Sequence, residues 1–159
     1  MKAFANRPYP GDDRIADADR RYPDYEGHRV SAFFRGKDWR EISFASLRDG
    51  YAGDRTATLH FMLDEGFLYY LPAFLLMVLE PQAGDMAEAL SFVLTDRGPE
   101  GGEDSRRFRA RMERLLAEER AAVADVLRLL ADRYDREGDP SNPARAALRS
   151  YWESGQASA

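Results

Sequence analysis

The sequence predicts a mainly α fold, a compact multi-helix single domain with a kinked central apolar helix. Apolar residues recur at helical spacing over residues 64–80 and 106–137, and glycine or proline residues separate the helical segments. Only residues 56–62 alternate as a strand does, so at most one short extended segment is expected. The chain has 159 residues, of which 44% are hydrophobic, and this suffices to bury a core.

The first 27 residues are predicted to form a partly irregular arm, followed by a helical domain at 28–153 and a polar tail at 154–159. Three prolines break any long regular element in the arm: Pro8, Pro10 and Pro23. A short helix capped by Asp12 or Asp13 fits there, with Ile15 as its one strong apolar contact.

The next two segments differ in their predicted structure. Val30, Phe33 and Phe34 lie at helical spacing, and Gly36 supplies a stop for that helix. After a glycine-containing loop at 48–54, apolar and polar residues alternate through 56–62. This alternation predicts a short extended segment.

Residues 64–80 form the predicted core helix, because apolar residues cover most of its faces. Pro72 removes one backbone hydrogen bond, so the helix either kinks near Tyr69 or starts at Pro72. Tyr69 and Tyr70 project about 100° apart on a helix and cannot both enter one core pocket. One tyrosine hydroxyl is therefore expected to reach a backbone carbonyl, such as one freed by Pro72.

The C-terminal half is predicted to be helical around one loop. Residues 85–95 are a short apolar element that is helical through Leu90, and residues 96–105 are a glycine-rich surface loop. Residues 106–137 form an amphipathic helix or helix pair, which Gly138 and Pro140 end. Asn142 can cap a last helix that has Pro143 at its first position.

Three stretches of the chain resemble a family of small bacterial proteins, the domain of unknown function number 6714. They are FFRGKDW at 33–39, FMLDEGFLYYLPAFLL at 61–76 and AALRSYW at 146–152, and with their spacing they cover roughly residues 30–152. The YYLPA block is the most specific, because helix propensity alone does not produce two tyrosines before a mid-helix proline. The usual helix-opening Ser/Thr-Pro-Glu is replaced at 63–65 and at 116–118. The resemblance implies a compact helical domain and transfers no catalytic residues.

Several kinds of chemistry are excluded by the sequence. The absence of cysteine rules out disulfides, thiol nucleophiles and thiolate metal sites. Motifs that cradle phosphate or expose a serine nucleophile are missing, and a pair of His60 with Asp64 lacks a third metal ligand. Carboxylate pairs such as Asp12-Asp13 are assigned to solvated surface. We therefore predict no catalytic residues, no metal and no cofactor.

Membrane association and export are not expected. The longest apolar run, residues 67–79, is shorter than the roughly 20 residues that span a bilayer. The first residues also lack the apolar stretch of a secretory signal. The sequence therefore predicts a cytoplasmic protein without a membrane partner.

The first of three functions that remain open is a non-enzymatic interaction role, as in an immunity protein or an adaptor. The formal net charge of −5 favours a basic protein as the partner. The expected contacts lie in the acidic segment, which we define as residues 96–104, and in the two residues after Ser105. They are Glu100, Glu103, Asp104, Arg106 and Arg107.

The other two functions are ligand binding and nucleic-acid binding. A pocket at the YYLP kink, for a small ligand or an unrecognised reaction, would be lined by Trp39, His60, Tyr69 and Tyr70. Nucleic acid would bind the basic cluster, which consists of Arg106, Arg107, Arg109, Arg111 and Arg114. The negative net charge disfavours nucleic acid, and internal ion pairs with neighbouring glutamates are expected instead. The sequence identifies neither the partner nor an oligomeric state.

Overall fold

The computed structural model describes residues 1–17, 25–138 and 141–153. Within these ranges it contains seven α-helices and no strand. The helices are α1 Glu26–Phe34, α2 Phe44–Gly50, α3 Asp64–Met77, α4 Gly84–Val93, α5 Glu103–Glu113, α6 Ala117–Glu137 and α7 Pro143–Ala147. The predicted mainly α fold is confirmed. Residues 18–24, Pro140 and the predicted polar tail at 154–159 lie outside the described residues.

By its internal contacts the chain divides into two compact units, Met1–Met86 and Ala87–Ala159. The first unit is built around α3, in which every residue from 66 to 75 is buried. Burial on all faces is what the apolar composition of this helix predicts. The helix begins at Asp64 and contains Pro72, so the alternative start at Pro72 is wrong.

The segment before α1 contributes to the core of the first unit. Phe4 and Ile15 are fully buried. The backbone N–H of Leu63 donates to the carbonyl of Ile15 at 3.0 Å, and Ala16 forms an isolated antiparallel bridge with Met62. Ile15, the predicted apolar contact of the arm, is thus part of the core.

Residues 56–62 do not form the extended segment that their alternation predicts. Arg55–Ala57 is a 3-10 helix, and turns continue to Phe61. The cause is Asp54, whose carboxylate accepts the backbone N–H of Thr56 at 2.9 Å and its hydroxyl at 2.6 Å. This local cap satisfies the turn and outweighs a short alternating pattern.

Helices α3 and α6 begin at the two places where the sequence departs from the usual helix opening of the family that it resembles. Leu63 precedes α3, and Asp64 and Glu65 occupy its first turn. Leu116 precedes α6, and its backbone N–H donates to the carboxylate of Glu119 at 2.8 Å. Carboxylates near a helix N-terminus stabilise it, so these helices start without a serine or threonine cap.

The second unit has α6 as its longest element. Of the two predicted alternatives, one helix or a helix pair, the structure has the pair: α5 ends at Glu113, α6 starts at Ala117, and Gly138 ends α6 with a left-handed φ of 72°. Asn142 caps α7 as predicted, because its side chain accepts the N–H of Arg145 at 3.0 Å. Its amide nitrogen also donates to the carbonyl of Ala131, at 3.0 Å, and so ties the end of α6 to α7.

After α7 the chain forms a single π-helical turn, Leu148–Trp152. The Ser150 hydroxyl accepts the backbone N–H of Asp96 at 3.1 Å, and the indole N–H of Trp152 donates to the carbonyl of Leu94 at 2.7 Å. The wider π turn presents both side chains to the segment that follows α4. The AALRSYW stretch therefore anchors the start of the acidic segment.

Candidate functional site

The aromatic residues predicted to line a pocket at the YYLP kink lie mainly in the core of the first unit. Trp39, Tyr69 and Tyr70 are buried, whereas His60 is exposed. The Tyr70 hydroxyl lies 2.7 Å from the carbonyl oxygen of Phe34 and 2.9 Å from that of Lys37. One tyrosine thus reaches a carbonyl as predicted, but the carbonyls belong to the end of α1 and to Lys37 rather than to the backbone freed by Pro72.

The tyrosines around this cluster keep their protons. Burial is the largest cause that raises the pKa of Tyr70, and it also raises the pKa of Tyr9 and of Tyr69. The Tyr9 hydroxyl accepts the backbone N–H of Gly36 at 2.7 Å and donates to Asp12 at 2.5 Å. These phenols can donate hydrogen bonds at neutral pH but cannot act as bases there.

The acidic segment is shorter as a loop than the sequence predicts. Helix α5 begins at Glu103, so Glu103 and Asp104 lie in its first turn, where the helix dipole favours acids. Glu100 and Asp104 are exposed and make no ion pair with the residues that the structure describes. Glu103 is bonded to Arg107 one turn later. Two of the three predicted acidic contacts therefore have no partner in the described chain.

The side chain of Asp96, by contrast, is only 5% exposed. One of its carboxylate oxygens accepts hydrogen bonds from the Ser105 hydroxyl at 2.8 Å and from Nε of Arg109 at 2.9 Å. Asp96 therefore supports the start of α5 instead of facing solvent.

Each member of the basic cluster has an intramolecular interaction. Arg106 donates to the carbonyl of Gly101 at 3.0 Å, Arg107 pairs with Glu103, and Arg109 pairs with Asp96. Arg111 and Arg114 are also engaged. The sequence predicts ion pairs with neighbouring glutamates; Glu103 is one such partner, whereas Arg109 pairs with an aspartate, Asp96. At the start of α5, two acidic side chains therefore lack an ion pair among the described residues, whereas each arginine has an intramolecular interaction.

A cleft that the sequence did not reveal lies beside α1 in the first unit. Its volume is about 400 Å³, and it is half open to solvent. The lining residues are Asp12, Asp13, Ala16, Asp17, His28, Ser31, Arg35 and Leu63. The Asp12-Asp13 pair is exposed, as expected of a solvated surface, and it also lines this cleft. The only local signals were two glycines, Gly27 and Gly66, whose structural role becomes visible in three dimensions.

The described part of the chain shows neither a metal cluster nor a membrane span. No group of three or more histidine and acidic side chains there is placed to hold a metal ion. None of the described helices is both long enough and apolar enough to cross a bilayer.

Comparison with known proteins yields a family but no individual relative. The model of a family of unknown function, DUF6714, matches residues 17–156. This range includes all three stretches in which the sequence resembles that family. No curated protein and no solved structure matches the chain.

Proposed function

The chain belongs to the DUF6714 family of unknown function, and from this premise we propose that it is a non-enzymatic binding protein for a basic protein partner. The proposed interface is the acidic surface at the start of α5, centred on Glu100 and Asp104. The role is that of an immunity protein or adaptor, which holds or blocks its partner. The cytoplasmic location expected from the sequence is part of this proposal.

The observation that carries the proposal is the difference between acids and arginines at the start of α5. Glu100 and Asp104 are exposed without an ion pair in the described chain, whereas the neighbouring Arg106, Arg107 and Arg109 are engaged by Gly101, Glu103 and Asp96. Arg107 and Arg109 are neutralised by acids, and Arg106 is held by a backbone carbonyl, so the free carboxylates of Glu100 and Asp104 are available to an incoming partner.

The anchoring of this surface supports the same reading. Asp96 is fixed on one side by the Ser150 hydroxyl and on the other by Ser105 and Arg109. A Cβ on Gly98 would lie 2.5 Å from the backbone nitrogen of Ser105, so only glycine allows the segment to lie against the first turn of α5. A surface held in place loses less conformational entropy on binding than a mobile loop does.

Charge reversal with a matched control tests the proposal. The test variant carries Glu100→Lys and Asp104→Lys, and the control carries Glu88→Lys and Glu137→Lys, which are exposed positions outside the interface. Both variants change the net charge equally. Partners are captured from the native organism, and a basic protein retained by the wild type and the control is then purified and titrated.

We expect the test variant to bind that protein at least tenfold more weakly than the control does, mainly through slower association, and the difference to shrink as salt is added. Equal affinities of the two variants would exclude the start of α5 as the interface. A captured partner that is acidic, or a nucleic acid, would contradict the proposed class of partner.

A further inference from the structure

We propose that the cleft beside α1 binds a small alkyl cation, a guanidinium or ammonium group carried on a short aliphatic chain. The cleft lies within the first unit and involves none of the residues at the start of α5. This inference therefore adds a second binding site and does not depend on the proposed function.

Two glycines hold the segment that forms one wall of the cleft. A Cβ on Gly66 of α3 would lie 2.2 Å from the carbonyl oxygen of Ile15, and a Cβ on Gly27 of α1 would lie 2.0 Å from that of Asp17. Side chains never approach a carbonyl so closely, so both positions require glycine. The backbone on either side of Ala16 is thereby fixed against two helices, and the cleft is preformed on this side.

The charges around the cleft do not balance. Asp12 is bonded to the Tyr9 hydroxyl and lies 3.6 Å from the guanidinium of Arg35. Asp13 and Asp17 are exposed and have no ion pair among the described residues. Among the described lining residues, three carboxylates therefore accompany one arginine and one histidine, and Asp13 and Asp17 are left to attract a cation.

The hydroxyl of a buried residue supplies an observation that is independent of the acidic residues. Ser31 of α1 lines the cleft and is 6% exposed. Its side chain makes no hydrogen bond to any residue in the described ranges. The residue is buried, but its oxygen is not among the fully buried side-chain atoms without a partner and is therefore open to the cleft, where an N–H donor of a guest would bond to it.

The remaining lining residues fit the aliphatic part of such a guest. Ala16 is 4% exposed and Leu63 is 36% exposed, and both lie on the cleft. Leu63 is among the few large apolar side chains left exposed in the described chain. A volume of about 400 Å³ is at the small end of ligand pockets, which suits a cation with a short chain better than a cofactor.

Calorimetric titration of the full chain in low salt with n-butylguanidinium tests this site. Its neutral counterpart n-butylurea has the same shape without the charge. We expect n-butylguanidinium to bind one site with a Kd of about 1 mM or tighter, and n-butylurea to bind at least tenfold more weakly. Equal binding of the two compounds, or no binding of either, would overturn the proposal.

Variants locate the binding site. Asp13→Asn with Asp17→Asn removes two charges from exposed positions and should weaken binding about tenfold, and Ser31→Ala should weaken it about threefold. Glu88→Gln with Glu137→Gln removes the same number of charges elsewhere and should leave binding unchanged, as should the Glu100→Lys, Asp104→Lys variant. Thermal melts confirm that each variant is folded. If the cleft variants bind as the control does, the site is not in this cleft.

Two peptides distinguish a free ligand from a side chain of a partner protein. They are acetyl-Ala-Arg-Ala-amide and its citrulline counterpart. If the arginine peptide competes with n-butylguanidinium and the citrulline peptide does not, the cleft accepts the cation as the side chain of a protein. If neither peptide competes while n-butylguanidinium still binds, the ligand is a free small molecule.

Discussion

Phe74 is the residue whose burial most directly reflects the hydrophobic pattern of α3. It is 1% exposed, and its ring centroid lies 6.2 Å from that of Phe34 in α1. Leu76, two positions further along the same helix, is 45% exposed. Phe74 and Leu76 are therefore a buried and an exposed large apolar side chain of the same helix, and their substitutions can be compared.

Phe74→Ala should lower the free energy of unfolding by about 3–5 kcal/mol, because it leaves a cavity in a packed interior. Leu76→Ala should lower it by less than about 1 kcal/mol. Urea denaturation followed by circular dichroism measures both values. Similar losses in the two variants would mean that the faces of α3 are wrongly assigned.

Tyr70 combines a buried ring with a satisfied hydroxyl. Tyr70→Phe should cost about 1–3 kcal/mol at pH 7, because it removes the single O–H donor that the carbonyls of Phe34 and Lys37 share. Burial raises the pKa of Tyr70 in the folded chain. A raised pKa means that its stabilising contribution is complete below the unfolded value, about 10, and is lost as the pH rises above it.

Unfolding titrations of the wild type and Tyr70→Phe from pH 7 to pH 11 test this contribution. The difference in stability should narrow above pH about 10, because only the wild type must keep this phenol protonated. A constant difference across the range would contradict the buried position of the hydroxyl.

At the scale of elements, glycine determines how closely the N-terminal segment approaches α3. Gly66→Ala should destabilise the fold by about 2 kcal/mol or more, since the added Cβ would lie 2.2 Å from the carbonyl oxygen of Ile15. Gly84, at the start of α4, has open space around its Cβ position. Gly84→Ala should be neutral or stabilising by up to about 1 kcal/mol. Differential scanning calorimetry of the two variants measures the contrast, and equal melting temperatures would exclude the close approach.

The end of α6 is joined to α7 through Asp135. Its carboxylate is bonded to Arg145 and accepts a hydrogen bond from Asn142 at 2.6 Å. The bond with Arg145 is the largest cause that lowers the pKa of Asp135, and the bond with Asn142 is the next. A lowered pKa means that the stabilising effect is present above the unfolded value of about 3.9 and is lost as the pH falls through the folded value.

Asp135→Ala should therefore lower the melting temperature at pH 7 and have a smaller effect below pH about 3. Asp132→Ala, at an exposed position one turn earlier in α6, is the control. Thermal melts at both pH values provide the comparison. An effect of Asp135→Ala that does not change with pH would show that the charge is not involved.

The elements that the sequence predicted correctly have strong local signals. Each of these signals depends on a few consecutive residues. They are the apolar faces of α3, the glycines that end α1 and α6, and the Asn142-Pro143 start of α7. The break between α5 and α6 has no glycine or proline and depends on the carboxylate of Glu119, so its position could not be fixed from the sequence. The extended segment predicted at 56–62 is absent because the cap at Asp54 stabilises a 3-10 helix there.

At the scale of the whole molecule, charge is what most limits the range of partners. The net charge is −5, and each arginine of the basic cluster is engaged within the chain. We expect a fluorescent 20-base-pair DNA duplex to bind with a Kd weaker than about 100 µM in low salt. Fluorescence anisotropy measures this value. Micromolar affinity that falls steeply with salt would instead support the basic cluster as a nucleic-acid site.

The cleft beside α1 could not be predicted from the sequence alone. Asp13 and Asp17 lie in an acidic stretch, while Ser31 and Leu63 belong to segments that are far away in the chain. They meet because Gly27 and Gly66 allow one short segment to lie against two helices. Close approach of this kind depends on tertiary packing. A glycine in a helix does not indicate which segment of the chain will pack against it. The acidic surface at α5, in contrast, follows from neighbouring residues and was predictable.

The two tryptophans offer a practical use of the fold, since Trp39 lies in the first unit and Trp152 in the second. The indole N–H of Trp152 donates to the Leu94 carbonyl, whereas that of Trp39 is buried without an acceptor among the described residues. The two fluorophores therefore differ in the hydrogen bonding of their indole N–H groups and should emit at different wavelengths. A chain with only one of them, the other replaced by phenylalanine, becomes an optical reporter for one half of the molecule without any added label.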